Sequence, residues 1–179
     1  MRLKISNNRP VFFVADEHYG HKNIIKYNDR PFSDIKDMDE SIIKGFNKKV
    51  PSNAVTIHAG DFCLGSRKYE VVKERYIDQL NGDHVFLLGS HDHWLPNSRT
   101  HEIIEITIGG QTVVVCHYAM RVWSKSHYGS WHLYGHSHGH LPSIGKSHDI
   151  SLDNTFFLPL SWVEVKKIMD LKPDNKPNH

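Results

Sequence analysis

Five short apolar runs in this chain each end in aspartate, histidine or both. Residues 11–15 (VFFVA) lead into Asp16-Glu17-His18, residues 54–58 (AVTIH) into Gly60-Asp61, and residues 84–88 (HVFLL) into Gly89-Ser90-His91-Asp92. Residues 112–116 (TVVVC) lead into His117, and residues 131–134 (WHLY) into Gly135-His136-Ser137-His138. Carboxylate and imidazole together suit Mn²⁺, Fe, Zn²⁺ or Ni²⁺ better than Ca²⁺ or Mg²⁺. If those stretches are extended, residues i and i+2 point the same way, so Asp16 with His18, and His136 with His138, would each give two groups to one site. Two cations about 3.5–4 Å apart repel unless a carboxylate bridges them, and Asp61, alone on its run, is the natural bridge. A glycine before a ligand lets the chain turn sharply or come close to an ion.

Such groups need strand ends to hold them. The run at 11–15 reads as a buried strand, and those at 54–58, 84–88 and 131–134 as further strands. Ile35, Met38, Ile42 and Phe46 share a helical face, capped by Ser33 or Asp34. Tyr69, Val72, Tyr76 and Leu80 mark a second helix, stopped at Asn81-Gly82. Residues 103–108 and 112–116 about Gly109-Gly110 read as a hairpin. Ser161-Trp162-Val163-Glu164 is a capping box that starts a last helix reaching about Asp170. Early β-α-β-α-β followed by hairpin-rich sequence predicts an α/β domain with mixed sheets, its ligands at the carboxyl strand edge. The domain is expected over 1–171, with 172–179 a frayed polar tail.

Bulk composition narrows the class. The 179 residues contain 39% hydrophobic and 23% charged residues, an ordinary globular balance, and the net charge of +2 gives no argument for nucleic-acid or membrane binding. No run approaches the ~20 apolar residues of a membrane span, and the N-terminus has no signal-like apolar segment. Cys63 and Cys116 are expected as two buried thiols, consistent with a cytoplasmic protein. The 15 histidines are the outlier.

A lone D-x-H or H-x-H says little, but the ordered set D-x-H, GD, G-S-H-D, H, G-H-x-H from Asp16 to His138 resembles the calcineurin-like metallophosphoesterase family. The stretch from Gly20 to Tyr27 and Arg30-Pro31-Phe32 looks like its small, uncapped bacterial and phage members. The resemblance implies a two-sheet sandwich flanked by helices and two divalent metal ions, Mn²⁺ first, with Fe, Zn²⁺ or Ni²⁺ as alternatives. Carried over by position, Asp16, His18, Asp61 and His138 hold one metal, and Asp61, Ser90, His117 and His136 surround the other. By the same resemblance His91 would be the general acid or transition-state electrophile, oriented by Asp92. Ser90 stands where the family has asparagine, and its hydroxyl is a shorter and poorer ligand. His21 and Arg30 are candidate substrate contacts, Arg30 because a guanidinium matches phosphate oxygens.

The implied activity is phosphoester hydrolysis by a metal-bridging hydroxide. A diester (nucleotide, cyclic nucleotide or nucleic acid) is favoured because the second block reads GDFC and lacks the GD-x-x-D-R-G arginine that grips a monoester. The alternatives are a small-molecule phosphomonoesterase and a binding module on the same fold, which Ser90 would suit. The H-x-H-x-D-H block of metallo-β-lactamase-like hydrolases is absent. His58, His84, His93, His101, His127 and His132 read as surface or half-buried histidines, and Cys116 as a packed thiol. Trp123, Trp131, Tyr128 and Tyr134 read as aromatic core in preference to a base-stacking wall.

Overall fold

The computed structural model describes residues 2–5 and 8–175. Strand β2 (Val11–Val14) is buried along its whole length, because it lies in the middle of one of two stacked layers. Its order of neighbours is β4 (Asp83–Phe86), β3 (Val55–His58), β2, β9 (Leu160–Ser161). The second sheet runs β1 (Arg2–Lys4), β5 (Ile103–Ile108), β6 (Gln111–Cys116), β7 (Trp131–Tyr134), β8 (Ser147–Asp149). Both sheets are mixed. In the first, β2, β3 and β4 are parallel and β9 antiparallel; in the second, only the β5–β6 hairpin is antiparallel.

Period-2 alternation divides the side chains between two cores. Val11, Phe13, Ala15, Ile57 and Leu87 meet Ile104, Ile106, Val113, Val115 and Leu133 between the sheets, sealed by Val165 and Met169 of α4 (Trp162–Asp170). Phe12 and Val14 face the other way, against Met38, Ile42 and Phe46 of α2 (Ile35–Lys49) and Val72 of α3 (Tyr69–Arg75). A one-turn helix, α1 (Ile24–Tyr27), precedes them. The expected α/β sandwich with flanking helices is therefore the observed one.

Local signals translate directly. Asp34 caps α2 by accepting from Asp37 N, and Ser161 with Glu164 forms a reciprocal capping box on α4. The second expected helix is shorter than its pattern. Tyr76 leaves helical geometry (φ −130°), its ring stacks on Tyr19 at 4.7 Å, its hydroxyl donates to Asp39, and a 3₁₀ turn carries the chain on. Asn175, in the tail expected to fray, donates to Ser126 O at 2.8 Å and accepts from Lys146 N; residues 176–179 of that tail lie outside the described residues. Cys63 and Cys116 are buried free thiols, their pKa values pushed up by burial to about 12 and about 11. Among the described residues, no helix is long and apolar enough to cross a membrane.

Candidate metal centre

The five motif blocks converge at the carboxyl ends of β2, β3, β6 and β7 and the turn that follows β4. Asp16, His18 and His138 bring one ligand atom each to within 4.8 Å of one another, as do Asp61, His117 and His136. Asp61 joins the groups: its Oδ2 lies 3.4 Å from His117 Nε2 and 3.8 Å from His18 Nε2. Asp16 Oδ1 is 3.7 Å from His18 Nε2 and 3.9 Å from His138 Nε2. Ser90 Oγ donates to Asp61 Oδ2 at 3.0 Å, and His91 Nε2 lies 3.9 Å from the same oxygen.

The way these side chains converge corrects the expectation of extended pairs. Asp16, His18, Asp61, His136 and His138 all have positive φ, between 48° and 67°. Left-handed backbone is costly for residues with a Cβ, and it concentrates where the surroundings over-determine a site. The turns separate His136 from His138, which go to different groups. Small neighbours permit the crowding: a Cβ on Gly89 would sit 2.2 Å from Asp61 N and Oδ1, and one on Gly135 2.5 Å from Asp16 Oδ2.

Hydrogen bonds aim each imidazole. His117 Nδ1–H donates to Ala59 O at 3.0 Å, and His138 Nδ1–H to Asp153 Oδ2 at 2.7 Å, which leaves both Nε2 lone pairs facing the cluster. Asp16 Oδ2 accepts from His136 N and Ser151 Oγ, which leaves Oδ1 free. Asp16 Oδ1, His18 Nε2 and His117 Nε2 are buried without a hydrogen-bond partner. Buried ligand atoms left without partners, two in one group and one in the other, are costly unless cations take them, so the donor set fits divalent metal. Burial opposes ionisation of Asp61, but bonding to His117 outweighs it and holds the carboxyl below its usual range. Burial likewise opposes protonation of His117 and His138, and Asp61 and Asp153 overcome it, raising both.

Two sequence assignments need correcting. The Arg30 side chain is fully buried and cannot anchor substrate. Its guanidinium donates twice to Asp153, at 2.9 and 2.7 Å, and to the carbonyls of Asp16 and Glu17. Asp92 does not bond the His91 ring. Its buried carboxylate accepts from the backbone N–H groups of Asp61, Phe62, Cys63 and Gly89 and from Trp94 Nε1, tying the 89–92 turn to the end of β3. His21 does lie at the site: its Nδ1 meets His18 Nδ1 at 3.1 Å, and its ring is 5.4 Å from that of His91. Burial lowers the His21 pKa to about 4.

Sequence reading missed Asp153 and Ser151. Both follow a three-residue strand too short to register as a pattern. It also took His58 and His132 for surface or half-buried residues, whereas both are fully buried. His58 bonds Glu17 and His84 beneath the centre, and neither His58 nor His132 joins a ligand group. Trp123, Trp131 and Tyr134 are buried, and Tyr128 is exposed.

No family model matches the chain. It is 30% identical over 169 residues to an uncharacterized protein of Methanocaldococcus jannaschii, MJ1445, covering 90% of this chain and 92% of that one. A crystal structure of a protein of unknown function from Aquifex aeolicus, AQ665, matches with a TM-score of 0.66 at 18% identity, over 90% of this chain and all of that one, and so shares its fold. A Streptococcus pneumoniae protein described as a predicted phosphoesterase aligns over 80% of this chain and 71% of its own, with a TM-score of 0.41 and 17% identity.

Proposed function

We propose that this chain, which belongs with the uncharacterized relative from Methanocaldococcus jannaschii, is a metallophosphoesterase of the calcineurin-like type that hydrolyses a phosphodiester with the help of two divalent metal ions. The observation that carries the reading is the convergence of Asp16 Oδ1, His18 Nε2 and His117 Nε2, buried and otherwise unbonded, about Asp61.

Asp16, His18, His138 and Asp61 would hold one cation; Asp61, His117 and His136, with Ser90 beside them, would hold the other. Bound there, divalent ions lower the pKa of water and neutralise charge on a phosphoryl group. Mn²⁺ fits the mixed carboxylate and imidazole set.

The protein's own groups supply the rest. His91 is half-buried, with Nε2 3.9 Å from Asp61 Oδ2, and would hold a proton on that nitrogen for the departing ester oxygen. Asp92 positions His91 through the backbone it ties down. Asp153 and the Ala59 carbonyl keep the His138 and His117 tautomers in the ligating form. Preference for a diester follows from the absence of a phosphate-gripping arginine in the second block, and Arg30 is spent on Asp153. A binding module with weak catalysis is the second reading. It is favoured by Ser90, whose hydroxyl donates to Asp61 where an amide oxygen would face a cation.

The test compares kcat/KM for bis-p-nitrophenyl phosphate and p-nitrophenyl phosphate with Mn²⁺ present. The diester should be the better substrate. A clear reversal moves the protein to the monoesterases, and no turnover of either favours the binding module.

A further inference from the structure

Beside the ligand cluster lies a cavity of about 350 Å³ that shares His117 and Gly89 with it. Its other walls are Leu88, Ile103, Cys116, Tyr118 and Met120, and Glu102 adds a carboxylate. That volume sits at the small end of ligand pockets, which run from about 300 to 1,000 Å³, so it admits one ring system and no duplex.

Hydrogen bonds hold part of its wall in place. Cys116 Sγ–H donates to Tyr118 O at 2.9 Å, and Met120 N donates to His132 Nε2 at 3.0 Å. His132 Nδ1–H in turn donates to Val114 O, and burial lowers the ring's pKa to about 4, so Nε2 stays an acceptor. The Tyr118 ring is 52% exposed and stands edge-on to His117 at 4.8 Å and His136 at 4.7 Å. It links the apolar walls to the second ligand group.

The cluster has two distinct ends. His91 groups with His18 and His21, at ring separations of 5.3 and 5.4 Å, whereas the cavity adjoins His117 and, through Tyr118, His136. We propose that the cavity receives the retained substituent of a phosphodiester, a nucleobase-class aromatic ring, while the leaving oxygen lies at His91. This rests on the hydrolase reading and narrows it. A flat heteroaromatic ring matches the walls in three ways: its face can stack on the exposed Tyr118, its edge can pack on Met120 and Leu88, and its N–H groups can donate to Glu102. A monoester has no second substituent to place there.

Two esters with one leaving group isolate the effect: the p-nitrophenyl ester of thymidine 5′-phosphate and p-nitrophenyl methyl phosphate. The nucleoside ester should show kcat/KM higher by roughly tenfold or more, mainly through KM, as expected for one stacked base. Met120→Glu and Tyr118→Ala should each bring that ratio towards one. Equal kcat/KM for the two esters in the unaltered protein, or a ratio that survives both substitutions, overturns the proposal. Calorimetric titration with thymidine 5′-monophosphate and with methyl phosphate reads the cavity without turnover. Tighter nucleotide binding without hydrolysis of either ester supports the cavity and overturns the hydrolase reading, and equal binding of the two overturns the cavity.

Discussion

Replacing Arg30 by methionine removes a cation from the middle of a buried network and leaves its partners in place. Two hydrogen bonds to Asp153, one to Asp16 O and one to Glu17 O are lost together. The Asp153 carboxyl is held at about 2, burial pushing it up while His138 and Arg30 outweigh that. Without Arg30 it becomes a largely buried charge supported by His138 alone. Breaking a buried pair from one side costs about 3–5 kcal/mol, a large share of the ~5–15 kcal/mol that holds a domain together. Urea denaturation of metal-free protein at pH 7 should therefore show the unfolding free energy falling by that amount, read as a lower midpoint at unchanged slope. Arg30→Lys should recover part of the loss, since an ammonium keeps the charge but cannot reach Asp153 and both carbonyls at once. A loss below about 1 kcal/mol, accompanied by a raised KM, would refute this reasoning and return Arg30 to the substrate.

His91→Ala should leave metal content unchanged and lower turnover by roughly 10²–10⁴-fold, less for esters with very acidic leaving groups; an equal loss across leaving groups would mean a structural role. Ser90→Asn should tighten the second metal and raise diesterase rate across a Mn²⁺ titration, because an amide oxygen reaches one bond further than the hydroxyl that now donates to Asp61; equal affinity and rate would make Ser90 neutral. His132 should make the fold acid-sensitive. Its pKa falls from 6.5 to about 4 on burial, so its contribution is complete above pH 6.5 and is lost as pH falls towards 4, by up to about 3 kcal/mol. His132→Gln, which can still donate to Val114 O and accept from Met120 N, should flatten stability against pH over that window, and an unchanged profile would contradict the assignment.

The parts of this molecule legible in its sequence are those with a short period. VFFV, VTIH and WHLY are strands because apolar side chains on both faces need a buried middle position, and Ser161 with Glu164 starts α4 through bonds four residues apart or less. The ligand blocks were legible because each follows such a run. What stayed hidden depends on distant partners. Arg30 meets Asp153 across 123 positions of chain, so its bare sequence context suggested a phosphate anchor. The strands β1, β8 and β9, of two or three residues each, exist only because a neighbour pairs with them. Left-handed backbone at Asp16, His18, Asp61, His136 and His138 has no side-chain signature, since no glycine occupies those positions. His58 and His132 were misjudged because a polar residue inside an apolar strand reveals nothing of the partner that satisfies it.

The central claim is that the groups about Asp61 hold two divalent ions on which hydrolysis depends. Elemental analysis of Mn²⁺-loaded protein, with bis-p-nitrophenyl phosphate turnover followed through exhaustive chelation and reloading, tests it most directly. The account predicts two ions per chain, loss of turnover with the metal, recovery on adding Mn²⁺, and loss of both metal and turnover in Asp61→Asn. Full diester hydrolysis by the metal-free protein would contradict it.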